Sequence, residues 1–200
     1  MAMNIRSPHW DVRQIITVTL IGIVCGAIYF YGVDTLYNVT KIALTPTGLN
    51  PFVDGMYSGL WYISAPLCLY FVPTVGAGII GETLAAVVEM FFGAQWGIMT
   101  VVVGFLQGVG NELGFFPHGY QKFSWTSCLV GAFGANLLGF GYSFVTSGYS
   151  HYSIGMIMAL FAISTVSSLV FDGVLVKLIT LNFDRVFEKM QLNNVDKSSK

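Results

Sequence analysis

Six apolar segments of membrane-spanning length run through this chain of 200 residues. A hydrocarbon core about 30 Å thick requires about 20 mostly apolar residues in a helix. The segments that meet this requirement cover residues 14–33, 56–72, 74–93, 96–114, 124–146 and 152–177. The sequence therefore predicts an all-α polytopic membrane protein, a bundle of six transmembrane helices that forms one domain over residues 1–190.

The composition agrees with a location in the lipid bilayer. Charged residues make up 10% of the chain, whereas a soluble domain has about 25%. The net charge of −1 and the lack of a basic cluster in the sequence argue against a nucleic-acid partner. Cys25, Cys68 and Cys128 all lie within apolar segments, so we expect small buried hydrophobic residues and neither a disulfide nor a metal site.

The basic residues predict how the bundle is oriented. With six spans, a single basic residue, Lys41, falls on one side of the membrane. The other eight fall on the opposite side: Arg6, Arg13, Lys122, Lys177, Arg185, Lys189, Lys197 and Lys200. The positive-inside rule then places both termini in the cytoplasm. Residues 34–55 are predicted to be a turn-rich external loop that could act as a lid, and residues 191–200 a disordered cytoplasmic tail.

Two glutamates, Glu82 and Glu89, interrupt the third apolar segment. Because they are seven residues apart, both side chains project from nearly the same face of a helix. An acidic side chain at the centre of a membrane helix costs about 2.5–3.5 kcal/mol, and this segment contains no basic residue. The pair therefore predicts a polar site within the bilayer, with Glu89 nearer the external surface and Glu82 deeper.

Aromatic and amide side chains on neighbouring segments are candidates to complete this site. They are Trp61, Trp96, Asn136, Tyr57, Tyr142 and, at the outer end of the sixth segment, His151. A carboxylate beside aromatic rings suits a flat nitrogen heterocycle, because the rings stack on its faces and the carboxylate accepts its N–H bonds. The same pocket suits a small organic cation. His151 could instead be simply solvated.

Other polar residues are expected to have structural roles. Glu112 and Asp172, near the inner boundary, are predicted to be neutralised by Lys122 or Lys177. Gly22 and Gly26 form a small-xxx-small face that allows a helix to approach closely. The sequence contains no G-x-x-x-x-G-K-[ST], H-E-x-x-H or G-x-S-x-G pattern, so it supports no catalytic residue, metal or cofactor and favours binding or transport.

Two stretches resemble a known family: GETLAAVVEMFFGAQWG over residues 81–97 and GFLQGVGNELGF over residues 104–115. Together with the six-span layout, they are similar to the substrate-binding S component of an energy-coupling factor (ECF) vitamin transporter. The similarity is to the YkoE type, which is associated with hydroxymethylpyrimidine, the thiamine precursor.

The resemblance implies a non-catalytic subunit of the bacterial cytoplasmic membrane. Such a subunit captures its ligand from outside, and a transmembrane T component and two ABC-type ATPases drive its import. Gly22 and Gly26 match the family motif for contacting the T component. For an aminopyrimidine we expect Glu89 to accept an N–H bond, Trp61 and Trp96 to flank the ring, and Glu82 to be a second acceptor or a support.

Three other functions remain open from the residues. An ion-coupled secondary transporter could relay protons through Glu82 and Glu89. An intramembrane enzyme could use the two as an acid–base pair, although two helical turns separate them by about 10 Å, too far for direct proton exchange. A structural subunit without a ligand would not depend on either glutamate.

Overall fold

The computed structural model describes residues 10–198, with side chains described to residue 191, and it confirms the all-helical fold for this part of the chain. The α-helices in chain order are α1 (Val12–Ile28), α2 (Thr35–Leu44), α3 (Asn50–Tyr57), α4 (Ser64–Phe71), α5 (Ala77–Phe92), α6 (Ile98–Phe115), α7 (Trp125–Thr146), α8 (Ile154–Ser168) and α9 (Val176–Ser198). Short π-helical segments, Tyr29–Asp34 and Leu169–Leu175, join α1 to α2 and α8 to α9 without a break.

Four of the helices are long and apolar enough to cross a membrane, which indicates a membrane protein. They cover Val12–Thr47, Ile98–His118, Trp125–Thr146 and Ile154–Gln191. The second and third segments of the sequence analysis are shorter: one is divided between α3 and α4, and α5 has 16 residues.

The predicted loop over residues 34–55 is wrong, because most of it is helical. The first helix continues through α2, a tight turn reverses the chain, and α3 begins at Asn50. Gly48 in the turn has φ 73°, a left-handed conformation that glycine adopts without steric cost. Pro51 occupies the first turn of α3, where a missing N–H is tolerated. Only Pro46 and Gly48 of the residues that suggested a long loop lie in the turn itself, and the others lie within α2 and α3.

The second apolar segment changes helical geometry partway along its length. A 3-10 helix, Ser58–Tyr62, separates α3 from α4. Serines of α8 stabilise it: Ser58 Oγ donates to the Ser164 carbonyl at 3.3 Å, and the Gly59 amide donates to Ser167 Oγ at 3.1 Å. Irregular backbone is tolerated within a membrane protein where neighbouring helices satisfy its polar groups.

Helix α5 packs against α1, α4 and α6. Gly22 and Gly26 of α1 face α5 and are buried. A Cβ atom at Gly26 would lie 2.7 Å from Val88 Cβ, which is shorter than a van der Waals contact. The small-xxx-small face therefore serves the internal α1–α5 contact. The expectation that it contacts a T component is corrected, because α5 already covers it.

The C-terminal helix extends further than the sequence predicted. Residues 191–200 were expected to be disordered, but α9 continues to Ser198, and residues 199–200 lie outside the described part. The chain beyond Gly173 contains no glycine or proline, so nothing in it ends the helix early. The three cysteines are free and buried, as predicted.

Candidate functional site

A cavity of about 350 Å³ lies between the α2–α3 helices and α5, α6, α7 and α8. Its wall combines carboxyl groups with aromatic rings. The carboxyl groups belong to Asp54, Glu82 and Glu89, and the rings to Tyr37, Trp61, Tyr62, Trp96, Phe140, Tyr142 and Tyr149. The amides of Gln107 and Asn136 complete the polar part of the lining.

Six of the eight predicted site residues line this cavity: Glu82, Glu89, Trp61, Trp96, Asn136 and Tyr142. Tyr57 does not. Its hydroxyl lies 2.7 Å from Thr40 Oγ1, and its ring packs against Tyr37, which lines the cavity in its place. His151 is exposed, at the end of a 3-10 turn that places Tyr149 in the wall.

Trp61 and Trp96 form one aromatic surface. Their ring centroids are 5.6 Å apart with an interplanar angle of 88°, and Tyr37 packs edge-on against Trp61 at 5.4 Å. A ring held between the two indoles would need about 7 Å, twice a van der Waals contact. A ligand therefore cannot lie between the two indoles in this conformation, but it could stack on one face of the cluster. That Trp61 and Trp96 flank the ligand stays a prediction.

Glu89 projects from the second half of α5 and is 2% exposed. Its carboxyl group lines the cavity, and Glu89 Oε1 has no hydrogen-bond partner within the described part of the chain. Trp61 Nε1 donates to Asp34 Oδ1 at 3.2 Å. Sequence reasoning missed Asp34, which was assigned to the external loop. The π-helical turn at Tyr29–Asp34 places it inside the bundle, 5% exposed.

Glu82, two turns earlier on α5, is fully buried and held by the backbone of α4. Glu82 Oε2 accepts the Ala65 amide at 2.9 Å and the Tyr29 hydroxyl at 3.3 Å. The Tyr29 hydroxyl in turn accepts the Ser64 amide at 2.9 Å. These two amides begin α4, where helix geometry leaves them without a carbonyl partner. Glu82 thus caps α4 from a neighbouring helix, and the role of a support fits it well.

Asp54 joins three elements at the end of the cavity formed by α2 and α3. Its carboxylate forms an ion pair with Lys41 at 3.1 Å and accepts the Tyr37 hydroxyl at 2.6 Å. Tyr149 donates to its second oxygen at 3.2 Å. Burial and the charge of Asp54 raise the pKa of Tyr149, so the phenol keeps the proton that it donates. Asp54 therefore ties the α2–α3 pair to the Tyr149–His151 turn.

The acidic residues away from the cavity do not form the predicted ion pairs. Glu112 accepts hydrogen bonds of 3.1–3.2 Å from three amides at the N-terminus of α5, those of Gly76, Gly78 and Ile79. Asp172, in the second π-helical segment, accepts Asn111 Nδ2 at 3.1 Å. Lys177 donates instead to a backbone carbonyl, that of Phe123. Hydrogen bonds to helix ends and amides thus replace the expected contacts to lysine.

Some buried polar atoms in the cavity wall lack a partner within the described part of the chain. They are Glu82 Oε1, Glu89 Oε1, Thr100 Oγ1 and Asn136 Oδ1. A buried acceptor without a donor is costly, by about 1–3 kcal/mol, and such atoms commonly mark a functional site or bound water. The wall therefore contains acceptors that the described part of the chain leaves without a donor, close to an aromatic surface.

Three comparisons with known proteins agree on the kind of protein. Residues 13–138 match the family described as "ABC-type cobalt transport system, permease component". The chain is 28% identical over 171 residues to the "Putative HMP/thiamine permease protein YkoE" of Bacillus subtilis (strain 168). The aligned residues cover 86% of this chain and 83% of that protein. The fold matches a "Crystal structure of an S-component of ECF transporter" with a TM-score of 0.77, 26% identity and coverage of 96% and 95% of the two chains. The resemblance to a YkoE-type S component is thereby confirmed.

Proposed function

We propose that this chain, which belongs to the family of permease components of ABC-type cobalt transport systems, is the substrate-binding S component of an ATP-driven vitamin importer. The ligand is hydroxymethylpyrimidine or its product thiamine, taken from outside the bacterial cytoplasmic membrane. The six-helix bundle crosses the membrane six times with both termini in the cytoplasm. Support comes from a YkoE-like sequence and an S-component fold.

The observation that carries the ligand assignment is the placement of Glu89 beside the Tyr37–Trp61–Trp96 ring cluster in one cavity. An aminopyrimidine has a flat face to stack on such rings and an exocyclic amine that donates hydrogen bonds. A buried carboxyl group is the acceptor that gains most from such a donor, because charge assistance roughly doubles the strength of a hydrogen bond. Cavities of about 300–1,000 Å³ hold small organic ligands, and this one has about 350 Å³.

The S component has no catalytic task in this proposal. Its sequence contains no phosphate-binding loop, so a T component and two ABC-type ATPases supply the energy for import. Because Gly22 and Gly26 are covered by α5, the T component docks on a different surface. Lipid covers the remaining apolar exterior.

Calorimetry on the purified full chain tests the proposal. We expect hydroxymethylpyrimidine or thiamine to bind the wild-type protein, and Glu89→Gln to weaken binding by about tenfold or more, since it removes the charged acceptor. Glu188→Gln, an exposed glutamate on α9, is the matched control and should bind like the wild type. Equal affinity for wild type and Glu89→Gln would refute the assignment of Glu89.

An ion-coupled secondary transporter is the second candidate, and one observation favours it. No described lysine or arginine forms an ion pair with any of the five buried acidic residues, which are distributed through the bundle: Asp34, Glu82, Glu89, Glu112 and Asp172. Uptake by such a carrier would collapse on addition of a protonophore and persist without ATPase subunits. Uptake by the proposed importer would require the ATPases and resist the protonophore over short times.

A further inference from the structure

Gln107 projects from α6 toward the space between α5 and α7. Gly104 faces α5, because a Cβ atom at that position would lie 2.5 Å from Ala86 Cβ. Gly110 faces α7, because a Cβ atom there would overlap the backbone of Gly134. With about 100° of rotation per residue, position 107 lies between these two faces on the surface of α6. Gln107 accordingly lines the cavity.

The side-chain amide of Gln107 is not used by the described part of the chain. Two neighbouring buried amides each have a partner: Asn111 Nδ2 donates to Asp172 at 3.1 Å. Asn136 Nδ2 donates to Thr165 Oγ1 at 2.9 Å. In contrast, no described hydrogen bond involves the amide of Gln107, which is 7% exposed. An amide carries two N–H donors and a carbonyl acceptor, and leaving them buried without partners is costly. This amide therefore marks a place where a bound molecule supplies the missing partner.

The space beside this amide comes from Gly139 of α7, which also lines the cavity. A Cβ atom at Gly139 would lie 3.2 Å from the Tyr62 hydroxyl oxygen and 3.8 Å from Gln107 Nε2. The first distance is shorter than a van der Waals contact, so glycine is what lets the phenol and the amide lie side by side against α7. Both groups are uncharged and both have a hydrogen to donate. Together they form a neutral polar surface in the cavity wall.

This neutral surface lies about two turns of α5 away from Glu89. A Cβ atom at Gly104, one turn before Gln107, would lie 3.2 Å from the Glu82 carbonyl oxygen, so Gln107 is near the level of Glu82. Seven residues of helix separate Glu82 from Glu89 by about 10 Å. An ionised carboxylate only accepts hydrogen bonds, whereas an amide N–H donates them. The cavity thus has an acceptor at the level of Glu89 and donors at the level of Gln107.

We propose that Gln107 determines ligand specificity by donating an N–H bond to a ring nitrogen, on the side of the ligand opposite to the amine that Glu89 accepts. This role rests on the proposed function of the cavity. An aminopyrimidine meets both requirements, because its amine donates and its ring nitrogens accept. A small organic cation without an acceptor leaves the Gln107 amide unpaired and therefore binds weakly. Gly139 keeps open the space in which the amide turns toward the ligand.

Calorimetry on the full chain with two ligands tests this role. The ligands are hydroxymethylpyrimidine and its pyridine analogue, in which carbon replaces the ring nitrogen opposite the amine. We expect the wild type to bind the analogue about tenfold more weakly or worse. Gln107→Met has a flexible side chain of similar length without an N–H. It should weaken binding of hydroxymethylpyrimidine by about tenfold and bind the two ligands within about threefold of each other. Gln121→Met, at an exposed position, is the matched control and should keep the wild-type ratio.

Three outcomes would overturn the role of Gln107. If Gln107→Met kept the wild-type ratio between the two ligands, another group would donate to the ring nitrogen. If the wild type bound both ligands equally, nothing would donate to it. In both cases the proposed function stands, because hydroxymethylpyrimidine still binds. If neither hydroxymethylpyrimidine nor thiamine binds the wild type, the proposed function fails and the role of Gln107 fails with it.

Gly139→Ala tests the same surface without replacing the amide. Alanine favours a helix more than glycine does, so we expect Tm to stay close to that of the wild type. The added methyl group displaces the Tyr62 hydroxyl and crowds the Gln107 amide, so binding of hydroxymethylpyrimidine should weaken by about threefold or more. Gly141→Ala is the control, since a Cβ atom there would meet nothing within 4 Å. Equal affinity of the two variants would overturn the role of this space.

Discussion

Glu82 and Glu89 lie on one face of α5, but their surroundings indicate different roles. Glu82 has its Oε2 atom committed to the Ala65 amide and the Tyr29 hydroxyl, so it contributes to the stability of the bundle. Glu89 lines the same cavity as Trp61 and Trp96, and its Oε1 atom has no hydrogen-bond partner within the described part of the chain. The two residues therefore separate a supporting role from a binding role within two helical turns.

Replacement of Glu82 by leucine should destabilise the protein strongly. The Ala65 amide and the Tyr29 hydroxyl would lose their acceptor inside the bundle, and each buried group without a partner costs about 1–3 kcal/mol. For a chain of 200 residues this corresponds to a fall in Tm of about 4 °C or more, measured by thermal unfolding in detergent. Glu89 accepts no backbone amide in the described part of the chain, so Glu89→Leu should lower Tm less. A similar fall in both variants would contradict the division of roles.

At the scale of the elements, the helices could be predicted from hydropathy but their local geometry could not. Apolar segments of membrane-spanning length predicted the helices α1 and α5–α8. A π-helical turn shifts the register by one residue without any change in hydropathy, so Asp34 and Asp172 could not be placed. Asp34 was nevertheless visible as an acid at the end of an apolar run. Pro46, Gly48 and Pro51 suggested a long loop, but Pro46 and Gly48 lie in a short turn and Pro51 lies in the first turn of α3, where proline is compatible with a helix.

The N-terminus of α5 depends on a side chain of α6. Glu112 accepts three amides there, and its fourth donor is the Tyr120 hydroxyl at 2.7 Å. A carboxylate at a helix N-terminus stabilises by about 0.3–2 kcal/mol through the helix dipole. We expect Glu112→Ala to lower Tm by several degrees and to speed hydrogen exchange of the Gly78 and Ile79 amides. Lys122→Ala should change neither Tm nor the exchange of these amides, because Lys122 is exposed and forms no described ion pair. An effect of Lys122→Ala as large as that of Glu112→Ala would favour the ion pair expected from the sequence.

The α1–α5 contact requires a small residue at position 26. A Cβ atom there would overlap Val88 and the Ala85 carbonyl, so Gly26→Ala should push α1 away from the helix that carries both glutamates. We expect lower Tm and weaker ligand binding in the isolated chain, without any partner subunit. Gly32→Ala is the control, since its nearest neighbour would be Ile28 Cγ2 at 3.9 Å. If Gly26→Ala were stable alone and defective only in assembly, the surface would be a partner contact after all.

At the scale of the whole molecule, polar contacts between distant parts of the chain fix the cavity. Asp54 links α2, α3 and the Tyr149 turn at one end of the cavity. Away from the cavity, Glu112 links α6 to the start of α5, the helix that carries Glu82 and Glu89. The serines of α8 hold the 3-10 helix that carries Trp61. Sequence patterns predicted which residues are polar at depth, but these pairings join positions up to 108 residues apart, which no local pattern encodes.

The orientation of the bundle gives the last prediction, because the positive-inside rule places Lys41 outside and Lys122 inside. Thr47, in the turn between α2 and α3, and Gln121, between α6 and α7, are both exposed. In intact cells we expect Thr47→Cys to react with a membrane-impermeant maleimide and Gln121→Cys to react only after permeabilisation. The native Cys25, Cys68 and Cys128 are buried, so the wild type serves as a low-background control. Labelling of Gln121→Cys in intact cells, with Thr47→Cys protected, would invert the topology and place the cavity on the cytoplasmic side, where it could not capture a vitamin from outside.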